Sequence, residues 1–100
     1  MAETEVVKKE NTKNKIKEPK KYRVIALNDD VTPMDFVVSL MISVFNHNEV
    51  AALNLTMQIH QEGSAVAGTY SYEIAEQKGI EATELARGNG FPLQFKIEQE

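Results

Sequence analysis

Asn28-Asp29-Asp30 puts an amide and two carboxylates on consecutive residues, directly after an apolar run and directly before Thr32-Pro33-Met34-Asp35. Side-chain oxygens gathered on one short loop, with no cationic neighbour in sequence, suit a cationic partner group. A primary ammonium presents several donors to arrange around such acceptors, and a carboxylate strengthens each bond by charge. His60 ends a later helical pattern and can bring an imidazole to the same place as Asn28 and Asp29. Thr32, Met34 and Val37 sit in or near the first turn of the intervening helix and can supply an apolar well beside the polar cluster. Such a site would hold the α-amino group of a peptide while the well takes its first side chain. It would reject an acetylated N-terminus, which has lost the charge and gained bulk. It would also reject a β-branched first residue by shape and a charged one by desolvation cost. Each residue has a plainer reading too: Asn28-Asp29-Asp30 as an Asx turn, His60 satisfied by a backbone carbonyl or the helix dipole, the apolar residues as core. The turn reading is compatible with binding, because a turn can position the same atoms for a ligand.

Catalysis is poorly served by these residues. Asp29 or Asp30 with His60 is a conceivable general base, and Ser39, Ser43, Ser64 or Ser71 a conceivable nucleophile. None of these serines lies in a Gly-x-Ser-x-Gly elbow, and no Gly-rich loop ends in Lys-Ser/Thr. Adjacent carboxylates are common turn chemistry and signal Mg2+ only weakly. With no cysteine, and with His47 and His60 as the only histidines, disulfides, thiolate sites and histidine-rich metal sites are excluded. The expectation is a non-catalytic binding protein that needs no cofactor or metal.

The elements that must position this cluster follow from local pattern. Tyr22-Arg23-Val24-Ile25-Ala26-Leu27 reads as a strand whose largely apolar run places it inside a sheet. Thr32 as N-cap, Pro33 at the first helical position and Asp35 in the positive first turn open a helix. Phe36, Val37, Leu40, Met41, Val44 and Phe45 give it one broad apolar face. Asn48 caps a second helix from Glu49 to about His60, on which Val50, Leu53, Met57 and His60 share a face with Ala52, Thr56 and Ile59 beside it. The short link predicts that the two helices pack as a pair. Gly63 ends the second helix, Ala65 to Tyr70 is a strand, and Ser71 caps a third helix. There Ile74, Ala75, Ala82, Leu85 and Ala86 point inward, with Gly79 a weak point. Gly88-Asn89-Gly90 closes it, and Phe91 to Ile97 is a final strand with Pro92 near its start. The predicted fold class is α+β: a small three-stranded antiparallel sheet covered on one face by three helices, in the order β-α-α-β-α-β, burying every apolar face named.

Length and charge set the bounds. One hundred residues make one domain, too small for a large internal active site. Residues 1–21 hold seven lysines and four glutamates with no sustained apolar face, which predicts a flexible lysine-rich N-terminal extension before a core of residues 22–100. Residues 22–100 hold four basic and eleven acidic residues, and an acidic body argues against a nucleic-acid partner. No apolar stretch approaches the ~20 residues of a bilayer span, so no membrane partner is expected and the cytoplasm is the default location.

The run Val24-Ile25-Ala26-Leu27-Asn28-Asp29-Asp30-Val31-Thr32-Pro33-Met34-Asp35-Phe36-Val37 closely resembles the opening of the ClpS family, adaptors of the ATP-dependent Clp protease. The resemblance continues through Met57-Gln58-Ile59-His60-Gln61-Glu62-Gly63, Ala67-Gly68-Thr69-Tyr70, Glu73-Ile74-Ala75-Glu76-Gln77-Lys78 and Phe91-Pro92-Leu93, and covers residues 22–98 in order. It implies an N-degron receptor that binds proteins beginning with Phe, Tyr, Trp or Leu and delivers them to a hexameric AAA+ unfoldase. By the same resemblance Asn28, Asp29 and His60 hold the α-amino group. Thr32, Met34, Val37, Thr56, Ile59 and Leu93 line or border the side-chain pocket. Glu73 and Lys78, with Glu76 nearby, dock on the N-terminal domain of the unfoldase, and the lysine-rich arm engages its pore. A monomer is implied. Thr56 stands where many relatives carry methionine, which alters pocket depth or the preference between leucine and aromatic side chains. Val31 replaces an aromatic seen in some members, and Gln61-Glu62 changes the flank of His60. The alternative is a structural or ribosome-associated interaction module without N-terminal residue recognition.

Overall fold

The computed structural model describes residues 19–100. The extension expected over residues 1–21 lies outside them apart from its last three residues. The elements are β1 (Tyr22–Leu27), α1 (Met34–Ser43), α2 (Glu49–Glu62), β2 (Ser64–Tyr70), α3 (Tyr72–Gly88) and β3 (Gln94–Gln99), in the order the sequence predicts. The three strands run β2-β1-β3, with β1 antiparallel to both neighbours. The apolar run of β1 thus accompanies its central place, and Val24, Ile25 and Ala26 are all buried. The register with β2 slips at Ala67, since Val24 faces Gly68 and Ile25 faces Val66. The carbonyl of Ala67 accepts a bond from His47 Nε2 at 2.6 Å, which gives that histidine a structural role.

The third helix packs through small residues. Ala75, Gly79, Ala82 and Ala86 form the buried stripe of α3, which lies across all three strands. Without large side chains between them, helix and sheet approach closely, and residues beside the stripe are left at the margin. Ile74 and Leu85, expected to point inward, are therefore exposed. On α2 the buried residues are Ala52, Thr56 and Ile59, where the helix meets α1 and β2. Val50, Leu53 and Met57 are exposed, so the expectation that every apolar face is buried fails on this helix. The α1 face holds: Val37, Leu40, Met41, Val44 and Phe45 are buried and Phe36 packs against them.

Gly79→Ala is expected to stabilise the fold by roughly 0.5–1 kcal/mol, because alanine restricts the unfolded chain and favours the helix. The added Cβ would lie 3.8 Å from Ile97 Cδ1, an ordinary contact. A lower unfolding midpoint for this variant would show that the stripe tolerates no added methyl.

The boundaries near the polar loop differ in part from local rules. Asn48 caps α2 as expected, its Oδ1 accepting from the Ala51 N–H at 2.8 Å. Gly63 ends α2 at φ +95°, a left-handed conformation that disfavours any residue with a Cβ. Thr32 is not the cap of α1: Pro33 occupies that position without a side-chain capping bond, because the Thr32 hydroxyl donates to Asp29 instead. Ser71 stands at the N-cap of α3 but makes no side-chain capping bond. The final strand starts at Gln94, not Phe91. Pro92 has no N–H for a ladder, and the carbonyls of Phe91 and Leu93 both accept from the Arg87 guanidinium, at 3.0 and 2.8 Å. Among the described residues no helix is long and apolar enough to cross a membrane.

Candidate functional site

The loop after β1 is tied to the end of α2 by one backbone bond. The Asn28 N–H donates to the Gly63 carbonyl at 2.9 Å, next to the Leu27–Ser64 strand pair. That bond places residues 28–34 beside the last turn of α2, so Asn28 and His60, far apart in sequence, border the same depression. The loop holds its own shape through Asp29. Oδ1 accepts from the N–H groups of Val31 (2.8 Å) and Thr32 (2.7 Å), and Oδ2 accepts from the Thr32 hydroxyl (2.8 Å). This is the Asx turn that the sequence suggested, and it orients a carboxylate at the rim. Partial burial pushes the Asp29 carboxyl up. The Thr32 N–H, the Thr32 hydroxyl, the Val31 N–H and the positive charge of Arg87 together outweigh burial and hold it below its ordinary 3.8. Asp29 is thus an anion at neutral pH.

The cavity beside this loop measures about 460 Å³. It is lined by Asn28, Asp29, Thr32, Met34 and Val37 from the loop and α1, by Thr56, Ile59 and His60 from α2, and by Leu93 before β3. These are all nine residues assigned to amine binding and to the side-chain pocket. Asp30, Val31 and Pro33 complete the lining. The assigned residues omit them, and their membership of the same continuous loop was the available signal. Depth separates the two kinds of surface: Val37, Thr56, Ile59 and Leu93 are buried, while Asn28, Asp30, Met34 and His60 are exposed. The one polar side chain among the buried residues is satisfied, since the Thr56 hydroxyl donates to the Ala52 carbonyl at 2.8 Å. An apolar group entering the well therefore leaves no buried donor unpaired. Ser39, Ser43, Ser64 and Ser71 do not line the cavity. Among the described residues no three His, Asp or Glu side chains are grouped to hold a metal ion.

The residues assigned to unfoldase docking fall into two environments. Glu73 and Glu76 are exposed on the first turns of α3, where the Tyr72 hydroxyl reaches Glu76 Oε2 at 3.5 Å. Lys78 is half-buried, and its Nζ donates to the Val44 carbonyl at 2.7 Å. Val44 is the C-cap of α1, whose last turn has no basic residue, so Lys78 supplies the cation that the negative helix end lacks. Lys78→Met is accordingly expected to cost roughly 1–2 kcal/mol in denaturant unfolding, by leaving that carbonyl without its charged partner. An unchanged midpoint would remove Lys78 from the account of stability.

The chain is similar to known proteins in sequence and in fold. Residues 17–96 match the model of the family described as ATP-dependent Clp protease adaptor protein ClpS. The ClpS adapter of Treponema denticola is 49% identical over 82 residues, which cover 82% of this chain and 81% of the relative. That of Campylobacter jejuni is 44% identical over 86 residues, covering 86% of this chain and 90% of the relative. Among solved structures, Agrobacterium tumefaciens ClpS2 bound to L-phenylalaninamide superposes with a TM-score of 0.80 at 43% identity, covering 83% of this chain and all of that one.

Proposed function

This chain belongs to the ClpS family of ATP-dependent Clp protease adaptor proteins, and from that premise we propose that it recognises the free α-amino group and bulky apolar first side chain (Phe, Tyr, Trp or Leu) of its substrates. Adaptors of this family are not enzymes; they bring substrates to an AAA+ unfoldase of the Clp protease. The observation that carries the reading is the single cavity that unites Asn28, Asp29 and His60 at its rim with Val37, Thr56, Ile59 and Leu93 in its depth. Ammonium goes to the rim, where the carboxylate and neutral acceptors meet it; the side chain goes down, where burial is apolar. The ligand of the Agrobacterium relative has this chemistry, a free amino group on a residue with a benzyl side chain. The lysine-rich residues 1–21 act in hand-off to the unfoldase, and Glu73 and Glu76 present the exposed acidic part of the surface that docks on its N-terminal domain. The adaptor works as a monomer in the cytoplasm.

The test is fluorescence anisotropy with peptides that begin with free Phe, free Leu, free Ala and acetylated Phe. Binding of the Phe and Leu peptides, with loss on acetylation and on replacement by Ala, is the expected result. Equal binding of all four, or of none, would sink the reading.

A further inference from the structure

A second groove adjoins the first. It lies between α1 and α2, measures about 300 Å³, and is lined by Met34, Asp35, Val38, Leu53, Thr56 and Met57. Met34 and Thr56 line both cavities, so together they form the partition between them. Apart from the exposed Asp35 at its edge, the groove is apolar where it is open: Met34 is 39%, Met57 41% and Leu53 47% exposed. Leu53 and Met57 belong to the stripe Val50-Leu53-Met57-His60, and α2 buries a different line of residues, so no described element covers the stripe. The stripe therefore leads away from His60, at the rim of the amine site, along the outside of the helix.

We propose that this groove takes the side chain of the second residue of the substrate and favours an apolar one. The proposal rests on the amine-site reading above, because that reading fixes where the peptide begins. Distance supports the occupant. Met57 stands three residues before His60, about 4.5 Å along the helix axis, and an extended peptide advances about 3.5 Å per residue. One residue step thus matches the spacing from the rim to the groove. Consecutive side chains of an extended chain point to opposite sides, so a turn of the chain after its first residue, whose side chain descends past Thr56, presents the second side chain to the far side of the Met34–Thr56 partition. Two flexible thioether side chains at the opening allow differently shaped aliphatic groups to be accommodated. Partial burial of a leucine there is worth about a fivefold gain in affinity.

The experiment compares free Phe-Leu, free Phe-Ser and acetylated Phe-Leu peptides, otherwise matched, on the full chain and on Leu53→Gln/Met57→Gln. Both positions are exposed on α2 and glutamine is a good helix former, so the variant should fold; thermal unfolding checks it. The Phe-Leu peptide should bind about fivefold tighter than Phe-Ser to the unchanged chain, and the two should bind alike, at the Phe-Ser level, to the double variant. Equal affinities on the unchanged chain, with acetylation still abolishing binding, would overturn the groove and leave the amine site standing. Indifference to acetylation would overturn the amine site and the groove with it. Self-association that the double variant abolishes, with no effect on the peptides, would assign the groove to a second copy of this chain and overturn the proposal.

Discussion

Asp29→Ala should weaken binding of a peptide with a free N-terminal phenylalanine by at least ~2 kcal/mol, a loss of roughly thirtyfold or more in anisotropy titrations. Two effects combine in this variant. The ammonium loses its anionic partner at the rim of the cavity, and the loop loses the acceptor for the N–H groups of Val31 and Thr32 and for the Thr32 hydroxyl. Asp29→Asn separates them. Its carbonyl oxygen can still accept from the two N–H groups and its amide can donate to the Thr32 oxygen, so the loop keeps its bonds while the charge is gone. The asparagine variant should therefore lose most of the affinity at a nearly unchanged unfolding midpoint, whereas the alanine variant should lose both. Full affinity in Asp29→Asn would mean that loop shape, not charge, carries recognition. Unchanged affinity in Asp29→Ala would remove the amine contact altogether.

The same bonds set a pH dependence. The Asp29 pKa is lowered on folding, so its stabilising contribution is complete above the ordinary value of 3.8. The contribution is lost as the pH falls from there through the lower folded value. The part of stability that Asp29 carries should thus be flat from neutral pH to just above 3.8 and decline below it, and in Asp29→Asn that decline should be absent.

Leu93→Ala should cost about 2–5 kcal/mol of stability, seen as a lower denaturant midpoint at an unchanged slope. Leu93 is only 1% exposed and belongs both to the main hydrophobic cluster and to the cavity lining. The backbone on either side is anchored, because Arg87 binds the carbonyls of Leu93 and Phe91, and Phe91 packs edge-to-face on Phe36 at 4.9 Å. An anchored backbone does not move to fill the void, so the lost side chain enlarges the well from below. A peptide beginning with Trp should then gain relative to one beginning with Leu. A loss under ~1 kcal/mol would show that the surroundings collapse onto the site after all.

The sequence by itself determined the order of the elements, the central place of β1 and the content of the site loop, because those depend on residues that are neighbours along the chain. The cap at Asn48, the left-handed Gly63 and the Asx turn at Asp29 are each decided within a few residues, and all are present. Of the nine assigned residues that line the cavity, Asn28, Asp29, Thr32, Met34, Val37 and His60 were legible from residue type and position, and the resemblance added Thr56, Ile59 and Leu93, which spacing alone does not connect to them. Tertiary structure decided what spacing leaves open. Both α2 and α3 carry more apolar residues than one face can bury; the line Ala75-Gly79-Ala82-Ala86 was buried on α3 and Ala52-Thr56-Ile59 on α2, which turned Leu53, Met57, Ile74 and Leu85 outward. Thr32 was drawn to a carboxylate and gave up the helix cap to Pro33; Lys78 was drawn to the end of α1, far from it in sequence. Even the meeting of Asn28 with His60 depends on the Asn28 N–H finding the Gly63 carbonyl. Such partners are chosen by packing and by competition among donors and acceptors across the whole fold, whereas the local pattern records only which groups are available to compete.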